Sequence, residues 1–339
     1  MENPKSKLLI GITAGDPCGI GPEVVMKALA SAELFNLADF VVIGSEGVLR
    51  KTVQDLNLPT YFKGFEDIEE LRGSTLHIRL LTLNNFNVEN MPLKEPTAEA
   101  GKASLDYILK GIDLAMNGVI DALVTAPINK KAIEMAGCHF PGHTELLRDK
   151  TGASRAVMMM VGGGLRVSLV TTHVALERVP HLLNIEDIEH TITITADALK
   201  KFFNLKTQRI AVSGLNPHAG EYGRFGVEEK EIIMPAVERA ASKGINCSGP
   251  YSPDIVFYKA LNGDFDAVVS LYHDQGLIPL KLIAFEKGVN ITLGLPIIRT
   301  SPDHGTAYDI AGKGVANPAS MTEAIKVAAQ MAKAIENNP

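Results

Sequence analysis

Short apolar runs alternate along the chain with stretches whose apolar positions recur at helical spacing. The runs at 8–13, 40–44, 122–126, 157–161, 167–171, 210–213 and 267–271 hold few polar positions. Strands buried on both faces, as in parallel sheets covered by helices, have this character. Between them, Leu105, Ile108, Leu109, Ile112 and Ala115 form one helical stripe. Ile188, Ile192, Leu199 and Phe202 line a second helix, with Asn184 as N-cap and Asp187 at the capping-box position. A third helix runs through Ile233, Val237, Ala240 and Ala241, where Pro235 predicts a late start or a kink. A last amphipathic helix is expected over 321–335. The alternation predicts an α/β protein with a largely parallel sheet.

The chain has 339 residues, enough for two domains at about 150 residues each. No flexible linker separates them, so the domains are expected to interleave, with the chain crossing between them twice. A composition of 46% hydrophobic and 21% charged residues supplies a core and excludes a disordered or disulfide-stapled chain. The net charge of −6 gives no bulk positive field, so neither nucleic acid nor an anionic membrane is an expected partner. The three cysteines form no C-x-x-C pair and read as reduced thiols of a cytoplasmic protein. No apolar stretch reaches the roughly 18 residues of a membrane span. The run at 8–13 meets Gly15-Asp16-Pro17 instead of a small-residue cleavage site, which argues against a signal peptide.

Three histidines share one setting. His173, His218 and His273 each follow an apolar strand run, and open α/β sheets place ligand sites beyond such strand ends. One histidine there is ordinarily a loop or core residue. Three in a repeated setting point to a shared divalent metal held by neutral imidazoles. Asp274, beside His273, is a candidate orienter or acid/base. GDPCGIGPE (15–23) follows the first strand and opens a helix; it suits either a tight structural turn or an anion at a helix N-terminus. PGHTELL (141–147) sets His143 and Thr144 before a helix, where Thr144 is an N-cap or part of an anion site. Lys281, Asn290 and Arg299 recur at intervals of nine through a Gly/Pro-rich apolar segment, and an ammonium with a guanidinium fork suits a phosphorylated or carboxylated substrate.

With TTH (171–173), GLNPHAGE (214–221), YHDQG (272–276) and GVNITLGLPIIRTSPDHGTAYDIAG (288–312), these motifs span nearly the whole chain. Together they resemble the 4-hydroxythreonine-4-phosphate dehydrogenase family of pyridoxal phosphate biosynthesis. DHGTAYDIAGKGVANP (303–318) also resembles the nucleotide loop of isopropylmalate and isocitrate dehydrogenases, metal-dependent β-decarboxylating enzymes. The resemblance implies two interleaved α/β/α domains of the isocitrate/isopropylmalate dehydrogenase-like type, with the active site in an interdomain cleft. Residues 1–131 plus 282–339 would form the nucleotide-side domain, and 132–281 the metal-binding and dimerisation domain.

The resemblance further implies that His173, His218 and His273 bind a divalent metal (Zn2+, Mg2+ or Co2+) in a homodimer whose subunits share the site. His143, Thr144, Lys281, Asn290 and Arg299 match substrate contacts. NAD or NADP would border His304, Gly305, Thr306, Ala307, Asp309 and Asn317; this superfamily binds it without a Rossmann fingerprint. The expected substrate is a phosphorylated four-carbon hydroxy acid, whose alcohol is oxidised to a β-keto acid that loses CO2. Asp274 and Lys281 are the candidates for proton transfer. Two alternatives stand beside this one. A sister group acts on D-threonate or D-erythronate 4-phosphate, and a three-histidine zinc hydrolase would use the same imidazoles to activate water.

Overall fold

A computed structural model of the chain describes residues 7–88, 95–140 and 142–337. Among these residues the chain forms β1 (Leu9–Thr13), β2 (Asp39–Gly44), β3 (Lys63–Phe65), β4 (Ile78–Thr82), β5 (Ala122–Thr125), β6 (Val157–Gly162), β7 (Leu165–Leu169), β8 (Ile210–Ser213), β9 (Cys247–Tyr251), β10 (Ala267–Ser270), β11 (Val289–Leu293) and β12 (Arg299–Pro302). They belong to two compact units. The first joins the residues up to Ser154 to Leu295–Lys333, and the second joins Arg155–Gly294 to the residues from Ala334 on.

In the first unit the strands lie in the order β3-β4-β2-β1-β5-β12, all parallel. Ile10, Ile12, Phe40 and Ile43 are fully buried, which is what continuous apolar strands need when helices cover both faces. Helix Ala98–Met116 carries the stripe read from the sequence, with Ile108 and Ile112 buried and Leu105, Leu109 and Ala115 half-buried. At Gly101 this helix comes so close to the next that an added Cβ would lie 1.9 Å from the Ala132 carbonyl oxygen. Helices Lys130–Met135 and His143–Thr151 therefore pack with the first unit. The first crossing falls at 154/155 rather than the expected 131/132.

The second unit has the order β11-β6-β7-β10-β8-β9. Helices Ile185–Phe203 and Met234–Ser242 cover one face, where Ile188, Ile192, Leu199 and Val237 meet Ile210, Val212 and Val269. On the other face, Val256 and Phe257 of helix Pro253–Leu261 and Leu277 and Leu280 of helix His273–Ala284 meet Val167, Leu169 and Val268. This is a three-layer α/β/α arrangement. The runs at 157–161 and 167–171 read as parallel strands; β7 does pair parallel with β10, but β6 runs antiparallel to both β7 and β11. Gly163 and Gly164 both have positive φ, 58° and 91°, as a two-residue type I′ hairpin turn requires. Because β11 pairs with β6, the second crossing falls at 294/295 rather than 281/282.

Asn184 caps helix Ile185–Phe203 as expected, its Oδ1 accepting the Asp187 N–H at 2.9 Å. Pro235 sits in the first turn of Met234–Ser242, preceded by a π-helical turn, Glu229–Ile233.

Candidate active site

In the second unit β7, β10 and β8 are adjacent and parallel, so the residues after their C-terminal ends share one sheet edge. Each end carries one of the three histidines. The β7 and β10 ends are tied together: Val170 N–H donates to the Ser270 carbonyl (2.9 Å), and the Thr171 backbone N–H (3.2 Å) and hydroxyl (2.7 Å) donate to that of Leu271. This brings His173 and His273 together, with ring centroids 5.4 Å apart and planes inclined at 43°. Both line a cleft of about 300 Å³ with Thr172, Tyr272 and Asp274 among its walls. His273 Nδ1 lies 2.7 Å from Asp274 Oδ1. A carboxylate only accepts, so the imidazole donates from Nδ1 and keeps its Nε2 lone pair available, the arrangement usual for a metal-ligating histidine.

His218 stands apart. It opens a run of five residues, His218–Tyr222, with φ between 41° and 79°. Four of them are not glycine, and each costs about 1–2 kcal/mol in the left-handed region. His218 is exposed on this turn, beside Phe225 with centroids 6.5 Å apart. Among the described residues no three His, Cys, Asp or Glu side chains converge to hold a metal within one chain. Asp254, which no sequence motif pointed to, is held below the usual carboxylate range by the Ser252 hydroxyl and, less strongly, by His218. Lys281 lies eight residues beyond His273 on the same helix, about 12 Å along its axis, with its ammonium over the Phe285 ring. Asn290 on β11 has its Oδ1 covered and without a hydrogen-bond donor.

A second cluster lies in the first unit. Arg299, 2% exposed, starts β12, and its Nε and Nη2 donate to Thr125 Oγ1 at 3.1 and 2.6 Å. Burial pulls its pKa down to about 9. His143 opens helix His143–Thr151 behind Gly142 as N-cap, so Thr144 is the second helical residue and not the cap. Pro141 of that motif lies outside the described residues. Burial first, then Arg299 and Lys130, hold the His143 imidazolium far below its usual range, so the ring is neutral. Its Nε2 is covered and has no hydrogen-bond partner.

The glycine loop and the 303–318 loop meet in the same unit. Ile20 N–H donates to the Thr306 carbonyl at 2.9 Å, and Tyr308 donates its hydroxyl proton to Asp16 Oδ2 at 2.6 Å. Lys27 Nζ reaches Glu23 Oε1 (2.7 Å) and the carbonyls of Gly314 (2.8 Å) and Ala316 (2.9 Å). Thr306 is buried in this junction, His304 and Ala307 are half-buried, and Gly305 and Asp309 are exposed. Asn317 Oδ1 accepts the Ala319 N–H where the last helix begins. Burial, the largest cause, and the neighbouring Asp16 push the Cys18 thiol up to about 12, so this cysteine is no nucleophile. The roles of Asp16, Lys27 and Tyr308 were not read from the sequence, although Asp16 and Tyr308 lie inside quoted motifs.

Residues 36–328 match the family model described as "Pyridoxal phosphate biosynthetic protein PdxA". The chain belongs to the PdxA family. Among its relatives, the 4-hydroxythreonine-4-phosphate dehydrogenase of Desulforapulum autotrophicum is 50% identical over 326 residues, 96% of this chain and 95% of that one. A protein of Oceanobacillus iheyensis provisionally named D-threonate 4-phosphate dehydrogenase is 41% identical over 96% of this chain and 98% of its own length. The crystal structure of the 4-hydroxythreonine-4-phosphate dehydrogenase from Klebsiella pneumoniae superposes with a TM-score of 0.88 at 40% identity, covering 96% of this chain and all of that one (100%). This PdxA-family chain thus shares its fold with that enzyme.

Proposed function

We propose that the chain oxidises 4-phosphohydroxy-L-threonine with NAD or NADP to 2-amino-3-oxo-4-phosphooxybutanoate, which then loses CO2 to give 3-amino-2-oxopropyl phosphate. The observation that carries this reading is near-full-length similarity to dehydrogenases of that name, combined with three histidines on one sheet edge. The hydrolase alternative finds no counterpart among those relatives.

The donor set fits a divalent metal: two adjacent imidazoles, one already held from behind by Asp274. Zn2+ and Co2+ accept such imidazoles together with substrate oxygens, whereas Mg2+ would lean more on the oxygens. When bound, such a metal acts as Lewis acid and template for the substrate's hydroxyl and carboxylate. His218 supplies the third imidazole from the partner subunit in a homodimer. The second unit presents an apolar surface suited to this: Tyr258 on one helix (70% exposed), and Ile278 (61%), Leu282 (82%) and Phe285 (73%) along the next. A monomer leaves few such side chains together in water.

Arg299 and His143 receive the phosphate, with Thr144 and the helix N-terminus beside them. The neutral His143 donates one hydrogen bond without adding charge. Lys281 and Asn290 hold the substrate's remaining polar groups. Asp274 and Lys281 move the alcohol proton, and His304–Ala307, Asp309 and Asn317 would hold a nicotinamide nucleotide, which would supply the hydride acceptor.

The test is reduction of NAD+ or NADP+, read at 340 nm, with added divalent metal and 4-phosphohydroxy-L-threonine. The similarity to the Oceanobacillus protein makes D-threonate 4-phosphate the second substrate to assay. A higher kcat/KM for that compound would transfer the assignment to it.

A further inference from the structure

The left-handed turn at His218–Tyr222 is built around a buried carboxylate to which the proposed reaction gives no role. Glu229, 6% exposed, is the first residue of the π-helical turn. Its Oε1 accepts the backbone N–H groups of Leu215 (2.8 Å) and Asn216 (2.7 Å), and its Oε2 accepts Asn216 Nδ2 (2.9 Å). Asn216 Nδ2 is shared with Glu228 Oε2 at 2.8 Å. On the far side the turn closes over the same carboxylate, since a Cβ added to Gly220 would lie 2.7 Å from Glu229 Oε2, and one added to Gly214 would lie 3.3 Å from Oε1. A buried carboxylate is tolerated when donors surround it, and here three donors come from the two residues just before the turn. Consecutive non-glycine residues persist in left-handed conformation only where their surroundings over-determine them.

We infer that Glu229 is a positioning residue: its carboxylate anchors the strained turn and thereby aims His218. The inference rests on the reading of His218 as a metal ligand and extends it to a residue 11 positions further along the chain. Groups that orient metal ligands ordinarily change affinity by roughly 10- to 100-fold when removed.

The experiment measures Co2+ affinity of the full-length protein by chelator competition, with urea unfolding of the metal-free form alongside. Wild type is compared with His218→Ala, Glu229→Ala and Glu229→Gln under conditions where each is folded. Glu229→Ala is expected to weaken Co2+ binding by roughly 10- to 100-fold, as His218→Ala does. Glu229→Gln should stay within a few-fold of wild type, because its amide oxygen still accepts both backbone N–H groups. If Glu229→Ala does not fold, Glu229→Asp replaces it: the charge stays but the shorter arm cannot reach both donors, so the same loss is expected. Loss in His218→Ala alone overturns the positioning role. No loss in either variant overturns the metal reading, and this inference with it. Ala219→Gly tests the turn itself, since glycine is at ease at a φ of 51°. It should keep or raise the urea midpoint, whereas a lowered midpoint would contradict the left-handed conformation.

Discussion

At Arg299 the side chain's charge and shape act together. The guanidinium is buried and gives two of its donors to Thr125. Arg299→Lys retains a cation but neither the fork nor both bonds to Thr125. A charge-assisted contact is worth about 1.5–3 kcal/mol, so kcat/KM for the phosphorylated substrate should fall roughly 10- to 150-fold, measured by steady-state kinetics. His143 gives a pH dependence whose sign follows from its lowered pKa. Below about pH 6.5 the unfolded chain protonates this histidine while the folded one resists, so stability is full above that pH and declines below it. His143→Asn should flatten that decline, read as the urea midpoint between pH 7 and 5. The residue scale is also where the sequence was most and least legible. Arg299 and His143 sit in quoted motifs and share one cluster. The sign of φ at His218, Ala219, Glu221 and Tyr222 has no trace in residue types that ordinarily avoid it.

The same contrast holds for elements. Long stripes and uninterrupted apolar runs announced their helices and strands, but β3, β11 and β12 contain lysine, asparagine, arginine or glycine and carry no such pattern. Direction was lost at β6, whose composition suits either kind of pairing and whose turn glycines, Gly163 and Gly164, make it double back into β7. Close approach between elements is equally silent in a single sequence. Gly101 reads as a weak point in a helix, where alanine would ordinarily stabilise by up to about 1 kcal/mol. Here the added methyl would strike backbone at 1.9 Å, so Gly101→Ala should instead lower the melting temperature, with an overpacking cost of about 1–3 kcal/mol. The Lys27–Glu23 pair makes a comparable demand. Glu23 is 4% exposed, and Lys27→Met would leave its carboxylate buried without its cation. A loss of about 3 kcal/mol or more is expected in urea unfolding, together with faster amide exchange at Ala316, whose N–H Glu23 accepts.

For the whole molecule, the division of the three histidines into a pair and a single is the feature that bears on assembly. If His218 of one chain completes the His173–His273 pair of the other, a dimer made of one His173→Ala and one His218→Ala subunit holds one intact site. Such mixed dimers should recover about half the wild-type activity per dimer, while each parent variant stays inactive. Absence of recovery in dimers shown to be mixed would place each site within a single chain.

β12 lies beside β5 although 174 residues separate Arg299 from the Thr125 hydroxyl it holds. During synthesis, β1 to β5 leave the ribosome first, yet their sheet lacks its neighbouring strand until the entire second unit has followed. At about 5–20 residues per second, that interval lasts on the order of ten seconds or more. The strands of the second unit all come from one stretch, Arg155–Gly294, and can pair as soon as it is made, whereas long-range pairing of the β5–β12 kind is slow to form. The half-built first sheet is therefore the part of this protein that most needs shielding while translation continues. Arg299, proposed here for the phosphate, takes its place beside Thr125 only after that interval.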